Sequence, residues 1–187
     1  MTPGEDRSGS RPGRPLSELI RDYLVPWIDL DWPIRWEDVF GRPGPLVVEI
    51  GFGNGEFLLQ EAGSRPDAGF VGIERAWGSM QRLFKRLDAA GLANVRALEG
   101  DASYTLGHLF APNSVERVFI NFPDPWPKDR HHGRRLIQPA FAATLGEKLA
   151  PGGEVTIVTD HAGYADWIAE VLGDESVLRS RFDSAWV

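Results

Sequence analysis

The 187-residue chain has no cysteine, which excludes disulfides and thiolate metal sites and leaves no basis for an extracellular scaffold held by bridges. A reducing cytoplasm is the compartment expected. No run of about 18 apolar residues, the length a membrane-spanning helix needs, occurs anywhere. The first fifteen residues hold three Pro, three Gly and two Ser instead of a signal-peptide core, so a soluble, unexported protein is expected. Positive charge is also scarce: 20 basic against 27 acidic residues give a net charge of −7, which excludes a generally basic coat for nucleic acid. Any RNA contact has to be local.

What is present suits one domain. The chain is 42% apolar, and residues 16–187 are expected to form one domain around a single sizeable core. Ahead of it, residues 1–15 carry Arg7, Arg11 and Arg14 on a Gly/Pro/Ser background too poor in apolar surface to fold alone, and a disordered arm is expected there. Leu16 to Leu24 predicts a short helix, and Pro26, Trp27, Trp32, Pro33 and Trp36 an aromatic connection packed on the body.

From Leu46 onward, short apolar runs alternate with helical patterns. Leu46 to Ile50, Phe70 to Ile73, Val95 to Leu98, Val118 to Ile120 and Val155 to Val158 read as five buried strands. Met80, Leu83, Phe84 and Leu87 make one helical face, with Arg82, Lys85 and Arg86 turned outward. Ile137, Phe141, Leu145 and Leu149 predict a second helix, ended by Pro151-Gly152-Gly153, and Tyr164, Trp167, Ile168, Val171 and Leu172 a third. This alternation implies a Rossmann-like, doubly wound α/β fold, with a mostly parallel sheet and helices on both faces. Ligands in such folds sit at the carboxyl ends of the strands.

One candidate site lies there. Glu49-Ile50-Gly51-Phe52-Gly53-Asn54-Gly55 falls where the first strand turns into a helix, and its glycines let backbone pass close to a ligand. It does not fit the dinucleotide fingerprint: the sixth position is Glu56 counted from Gly51, and Leu58 counted from Gly53. Glu49 and Glu56 would repel a pyrophosphate, so a zwitterionic or cationic ligand suits the turn better. Glu74 ends the second strand, 23 residues after Gly51, where a carboxylate can accept both hydroxyls of a ribose. Asp101, just after the third strand, could accept an adenine amine. Glu49, Gly51, Gly53, Gly55, Glu74 and Asp101 together resemble the S-adenosylmethionine site of Rossmann-like methyltransferases.

The second candidate is Asn121 to Arg135. Asp124 follows the fourth strand between Pro123 and Pro125, whose fixed φ angles limit where its carboxylate can go. Next come Lys128, Arg130, Arg134 and Arg135 against Asp129, about +3 in eight residues, suited to phosphate contacts that fix register without reading sequence. His131 and His132 have no evident third ligand, and no metal site is expected.

Phe122-Pro123-Asp124-Pro125-Trp126-Pro127-Lys128, then Arg130-His131-His132 and Arg134-Arg135, with Glu49 to Gly55, resemble the bacterial tRNA (guanine-N7)-methyltransferases over about Leu46 to Asp160. The resemblance implies methyl transfer from S-adenosylmethionine to N7 of a guanine in the tRNA variable loop. It implies that Glu49, Glu74 and Asp101 hold cofactor, Asp124 the reaction centre, and Lys128 and Asp160 the RNA. The chain departs from the family in three ways. Asp129 and Gly133 interrupt the basic segment. No threonine follows Thr159 to supply the family's Thr-x-x-Glu element, and Ser180-Arg181-Phe182-Asp183 is a chemical look-alike arriving too early. Only fifteen residues follow Leu172, so the closing antiparallel strand pair is expected to be incomplete. Two other readings compete: methylation of an exocyclic amine, and an RNA-binding module that has lost turnover.

Overall fold

A computed structural model describes residues 13–182; Arg7 and Arg11 of the expected arm, and Asp183 of the look-alike stretch, lie outside them. Five strands, β1 (Leu46–Ile50), β2 (Gly69–Glu74), β3 (Val95–Glu99), β4 (Val115–Asn121) and β5 (Leu149–Val158), form one parallel sheet in the order β3-β2-β1-β4-β5. Each contains the apolar run that the sequence marks. The helices among the described residues are α1 (Leu16–Tyr23), α2 (Trp36–Phe40), α3 (Glu56–Ser64), α4 (Trp77–Ala90), α5 (Ala102–Leu109), α6 (Pro139–Lys148) and α7 (Ala162–Gly173).

Alternation along the strands divides the core in two. Leu46, Val48 and Ile50 of β1 pack with Leu106 of α5, Phe141 and Leu145 of α6, and Tyr164 and Ile168 of α7. Val47 faces the other way, among Leu19 of α1, Leu58 of α3, and Leu83 and Phe84 of α4. The doubly wound expectation therefore holds. The α4 stripe of Met80, Leu83, Phe84 and Leu87 is fully buried, while Arg82 and Lys85 are exposed as expected. Arg86 instead folds back, donating to Asn54 O and to Glu56 Oε1.

Two boundaries differ from the sequence reading. Ile137 precedes α6, which begins at Pro139, because a proline lacking its N–H fits the first helical turn. Leu149, expected to end that helix, opens β5 opposite Val115, and the ladder resumes only at Arg117 with Glu154. Pro151-Gly152-Gly153 is thus an irregularity within β5 and not a helix stop. A Cβ at Gly153 would sit 2.9 Å from Ala150 O and 3.0 Å from both Glu116 O and Val115 O, so only glycine fits. Helix α5 carried no stripe in the sequence; Asp101 caps it, its Oδ1 accepting the Tyr104 N–H at 3.1 Å.

The β3 edge is covered, since Leu24 bridges Ala97 and the Val25 N–H donates to Ala97 O at 2.9 Å. Trp36, buried, stacks on Phe110 with centroids 4.9 Å apart, so the aromatic connection does pack on the body. Arg14, expected in the arm, is tied to Glu18, Asp22 and Asp88. Beyond β5 no described strand follows, and Thr156 and Val158 are exposed along it. No described helix is long and apolar enough to cross a membrane.

Gly153→Ala is expected to lower stability by about 1–3 kcal/mol, because backbone carbonyls must give way. Gly63→Ala, on the exposed face of α3 with nothing within 4 Å of the new methyl, should instead stabilise by about 0.5–1 kcal/mol. Urea midpoints of the two variants test both signs.

Candidate active site

β1 leads directly into a tight turn. The Gly51 N–H donates to Ile73 O at 2.8 Å and the Gly55 N–H to Phe52 O at 2.7 Å. Gly51, Gly53 and Gly55 have φ of +72°, +51° and +72°, a region that disfavours any Cβ. At Gly55 a Cβ would also lie 2.6 Å from Leu83 Cδ1, whereas Gly51 and Gly53 face open space that a ligand can fill. Glu74 fastens the turn to β2: Oε2 accepts the Gly53 N–H at 3.1 Å, and Oε1 accepts the N–H groups of Arg75 and Ala76 at 2.8 and 3.0 Å. Asp101 caps α5 through Oδ1 and keeps Oδ2 3.8 Å from Arg75 Nη1.

Glu49, two residues before the turn, is 2% exposed. Its Oε1 accepts from Asn121 Nδ2 at 3.2 Å, while Oε2 has no hydrogen-bond partner. Burial pushes its carboxyl from an ordinary 4.5 up to about 7, against the opposing hydrogen bond from Asn121. Glu49 lies behind the cleft at the strand ends, which its neighbours Ile50 and Gly51 line and it does not.

A cleft of about 680 Å³ opens at the carboxyl ends of the strands, where β1 adjoins β4. Gly51, Glu74 and Asp101 line it from the β1–β3 side, and Asn121, Phe122 and Asp124 from the end of β4. The two candidate regions, 73 residues apart between Gly51 and Asp124, thus meet in one site. A larger groove of about 840 Å³ lies outside β3, between Arg14, Asp88 and Arg96, and contains none of these residues. Asp124 is exposed and accepts no hydrogen bond from described residues, so its carboxylate is available to a ligand.

The sequence did not assign roles to Asn121, which links the reaction loop to Glu49, or to Gln138, which donates to His132 O at 2.8 Å and holds the basic turn. A polar residue at the very end of a buried strand was the available signal for Asn121.

The basic residues separate. Lys128 and Arg130 are exposed outside the cleft lining, on or beside the 3-10 turn Asp129–Arg134. Arg134 lines the cleft, with its guanidinium 5.1 Å from the Trp126 ring centroid. Arg135, expected to contact phosphate, also lines the cleft but is almost wholly buried. It is 5% exposed, its Nε donates to Pro125 O at 2.9 Å, and its guanidinium lies 4.9 and 5.8 Å from the rings of Tyr164 and Trp167. Aromatic faces accept a planar cation that carbonyls cannot neutralise, so Arg135 clamps the reaction loop onto α7. Asp160 is exposed between β5 and α7, outside the cleft lining. No cluster of three or more His, Asp or Glu side chains able to hold a metal occurs among the described residues.

A family described as "Putative methyltransferase" matches residues 43–186. The chain is 41% identical over 180 residues to the tRNA (guanine-N(7)-)-methyltransferase of Paraburkholderia xenovorans, covering 96% of this chain and 68% of that one. The chain belongs to the tRNA (guanine-N7)-methyltransferase family. It is also 47% identical over 133 residues to the family member from Thermus thermophilus, covering 71% of this chain and 43% of the relative. With the member from Bordetella parapertussis it shares 40% over 168 residues, 90% and 65% of the respective chains. It therefore spans between about two fifths and two thirds of the length of these curated relatives. Among solved structures, an antibiotic-related methyltransferase superposes with a TM-score of 0.57 at 15% identity, over 78% of this chain and 74% of the other. A 30S ribosomal A1408 methyltransferase from an uncultured bacterium gives 0.53 at 13%, over 73% and 64%. At these identities the likeness concerns the fold.

For this family member, Glu49 yields a pH dependence whose sign is fixed. An acid whose folded pKa lies above its unfolded value costs nothing below pH 4.5, lowers stability as pH rises toward 7, and exerts its full penalty above that. The penalty is on the order of 3 kcal/mol. Glu49→Gln should thus be more stable than the parent at pH 8 and indistinguishable from it near pH 4, in denaturation curves of the ligand-free protein.

Proposed function

We propose that the chain transfers a methyl group from S-adenosylmethionine to N7 of a guanine in the tRNA variable loop. The observation that carries this reading is the single cleft that joins the glycine turn, Glu74 and Asp101 to Asp124. The site residues fit the cofactor. Gly51, in the cleft lining, leaves room for close backbone approach, and Glu74 and Asp101 offer acceptors for ribose and adenine. Glu49, half-partnered and buried behind this lining, is proposed to favour a positively charged ligand. Bound S-adenosylmethionine would supply a methyl group on a positively charged sulfur.

Guanine N7 has a lone pair and no proton to lose, so the site needs alignment more than a strong base. Asp124, held between two prolines, orients the purine and balances the positive charge that builds on it, an effect larger in the transition state than in the ground state. Reaching a base engaged in tertiary pairing requires its extrusion from the stack, at a cost of a few kcal/mol. Lys128, Arg130 and Arg134 offset part of that by holding phosphates, while Arg135 acts from within by fixing the loop. Asp160 is proposed as a further RNA contact. The lack of cysteine and a tRNA substrate both suit action in the cytoplasm.

The test is incubation with unmodified tRNA and labelled methyl donor, followed by nucleoside mapping. Seven-methylguanosine is expected; a methylated exocyclic amine, or no product, would each replace this reading with a different one. Asp124→Ala should lower turnover about 100-fold at saturating tRNA and cofactor, and undiminished turnover would remove its role. Neutralising Lys128, Arg130 and Arg134 together should weaken tRNA binding and reduce the slope of log K against log salt by about 2–3, and an unchanged slope would remove the phosphate assignment.

A further inference from the structure

Two aromatic residues bracket Asp124, and both have left-handed backbone: Phe122 at φ +52° and Trp126 at φ +42°. Asn113 is the third non-glycine residue with positive φ among those described, and asparagine tolerates that region. For an aromatic side chain the conformation is disfavoured, and such outliers persist where surrounding structure fixes them, often at functional sites. Pro123 disfavours the right-handed α region for Phe122 but leaves the extended region available, so the proline does not by itself force the left-handed form. The residue is also tied to the sheet: the Phe122 N–H donates to Val158 O at 2.8 Å, continuing the β4–β5 pairing one residue past the strand.

The two rings differ in use. Trp126 is half-buried, edge-on to His131 with centroids 5.8 Å apart, and beneath the Arg134 guanidinium. Phe122 is 63% exposed, lines the cleft, and stacks on no described ring. The strained turn thus presents a largely exposed apolar ring to the cleft that Asp124 also lines.

We infer that Phe122 is the stacking surface for the substrate base, a proposal that rests on the methyl-transfer reading above. A purine brought to Asp124 lays its face against the Phe122 ring, which removes apolar surface from water on both sides. During transfer the N7 lone pair forms the new N–C bond, the S–C bond breaks with its electron pair going to sulfur, and the positive charge passes to the purine. The ring then faces a cation, an arrangement that strengthens as the charge develops. Asp124 and Phe122 are complementary in this respect: one compensates the charge through its carboxylate, the other through its π face.

The test compares the parent protein with Phe122→Leu, Phe122→Tyr and Phe122→Gly, reading the product nucleoside, kcat and KM for tRNA, KM for the methyl donor, and the melting temperature. Phe122→Leu keeps apolar volume but removes the ring. It should lose about 5- to 150-fold in kcat/KM for tRNA, the range given by loss of one base–aromatic stack, with the KM of the methyl donor within about twofold. Phe122→Tyr should recover most of that loss. Phe122→Gly relieves the backbone, so it should melt higher than the parent while losing activity as the leucine variant does, which separates a stacking role from a structural one. A leucine variant with parental kcat/KM, or one whose loss appears equally in the KM of the methyl donor, overturns the proposal while leaving the activity intact. Absence of seven-methylguanosine from the parent reaction overturns both.

Discussion

Between β1 and β4 the sheet reverses direction of growth, and the site depends on that seam. The helix that follows β1 packs Leu58 and Ala62 against one face, and the helix after β4 packs Phe141, Ala142 and Leu145 against the other. Because the two chains leave on opposite sides, the space above the paired strand ends stays open. The cleft forms there, with the glycine turn on one bank and the Pro-Asp-Pro loop on the other. The Asn121 to Glu49 hydrogen bond crosses the seam and is the direct polar link between the two halves of the chemistry.

The cleft lining carries both signs, with Glu74, Asp101 and Asp124 against Arg75, Arg134 and Arg135. Glu49, Glu74, Asp101 and Asp124 are all acidic, and they belong either to the cleft wall or to the layer next to it. A sulfonium ligand and a purine that becomes positive both suit the acidic members of this lining. The proposed phosphate contacts lie on the exposed turn from Lys128 to Arg134, outside or at the rim of the cleft. The −7 average is compatible with the proposed RNA binding, because the basic residues of this turn are concentrated locally.

The reaction loop is held from several directions. Prolines at 123, 125 and 127 restrict its φ angles, Arg135 ties Pro125 O to the aromatic faces of α7, and Gln138 holds the carbonyls of His132 and Arg135. This over-determination is what allows left-handed backbone at Phe122 and Trp126 to persist. Glu49 is a comparable cost on the other bank, an ionisable group kept in the interior with one oxygen unpartnered. Both features make sense as preorganisation for ligands rather than as contributions to stability.

The sequence by itself determined the strand and helix alternation, since runs such as Leu46–Ile50 and the Met80-Leu83-Phe84-Leu87 stripe follow backbone periodicity, a local property. It also determined the family, because Glu49 to Gly55 and Pro123 to Lys128 are contiguous and chemically unusual. It misjudged Leu149 and Pro151-Gly152-Gly153, where apolar spacing of four suited a helix but pairing with Val115 took the residue into β5. Only the tertiary structure decided that Arg135 is buried against α7 while Arg134, its neighbour, is exposed, although both line the cleft. Adjacent residues of one charge are equivalent in sequence. Which of them meets Tyr164 and Trp167, and which meets solvent, is set by how α7 packs beneath the loop, a contact between segments about 30 residues apart that no local pattern encodes.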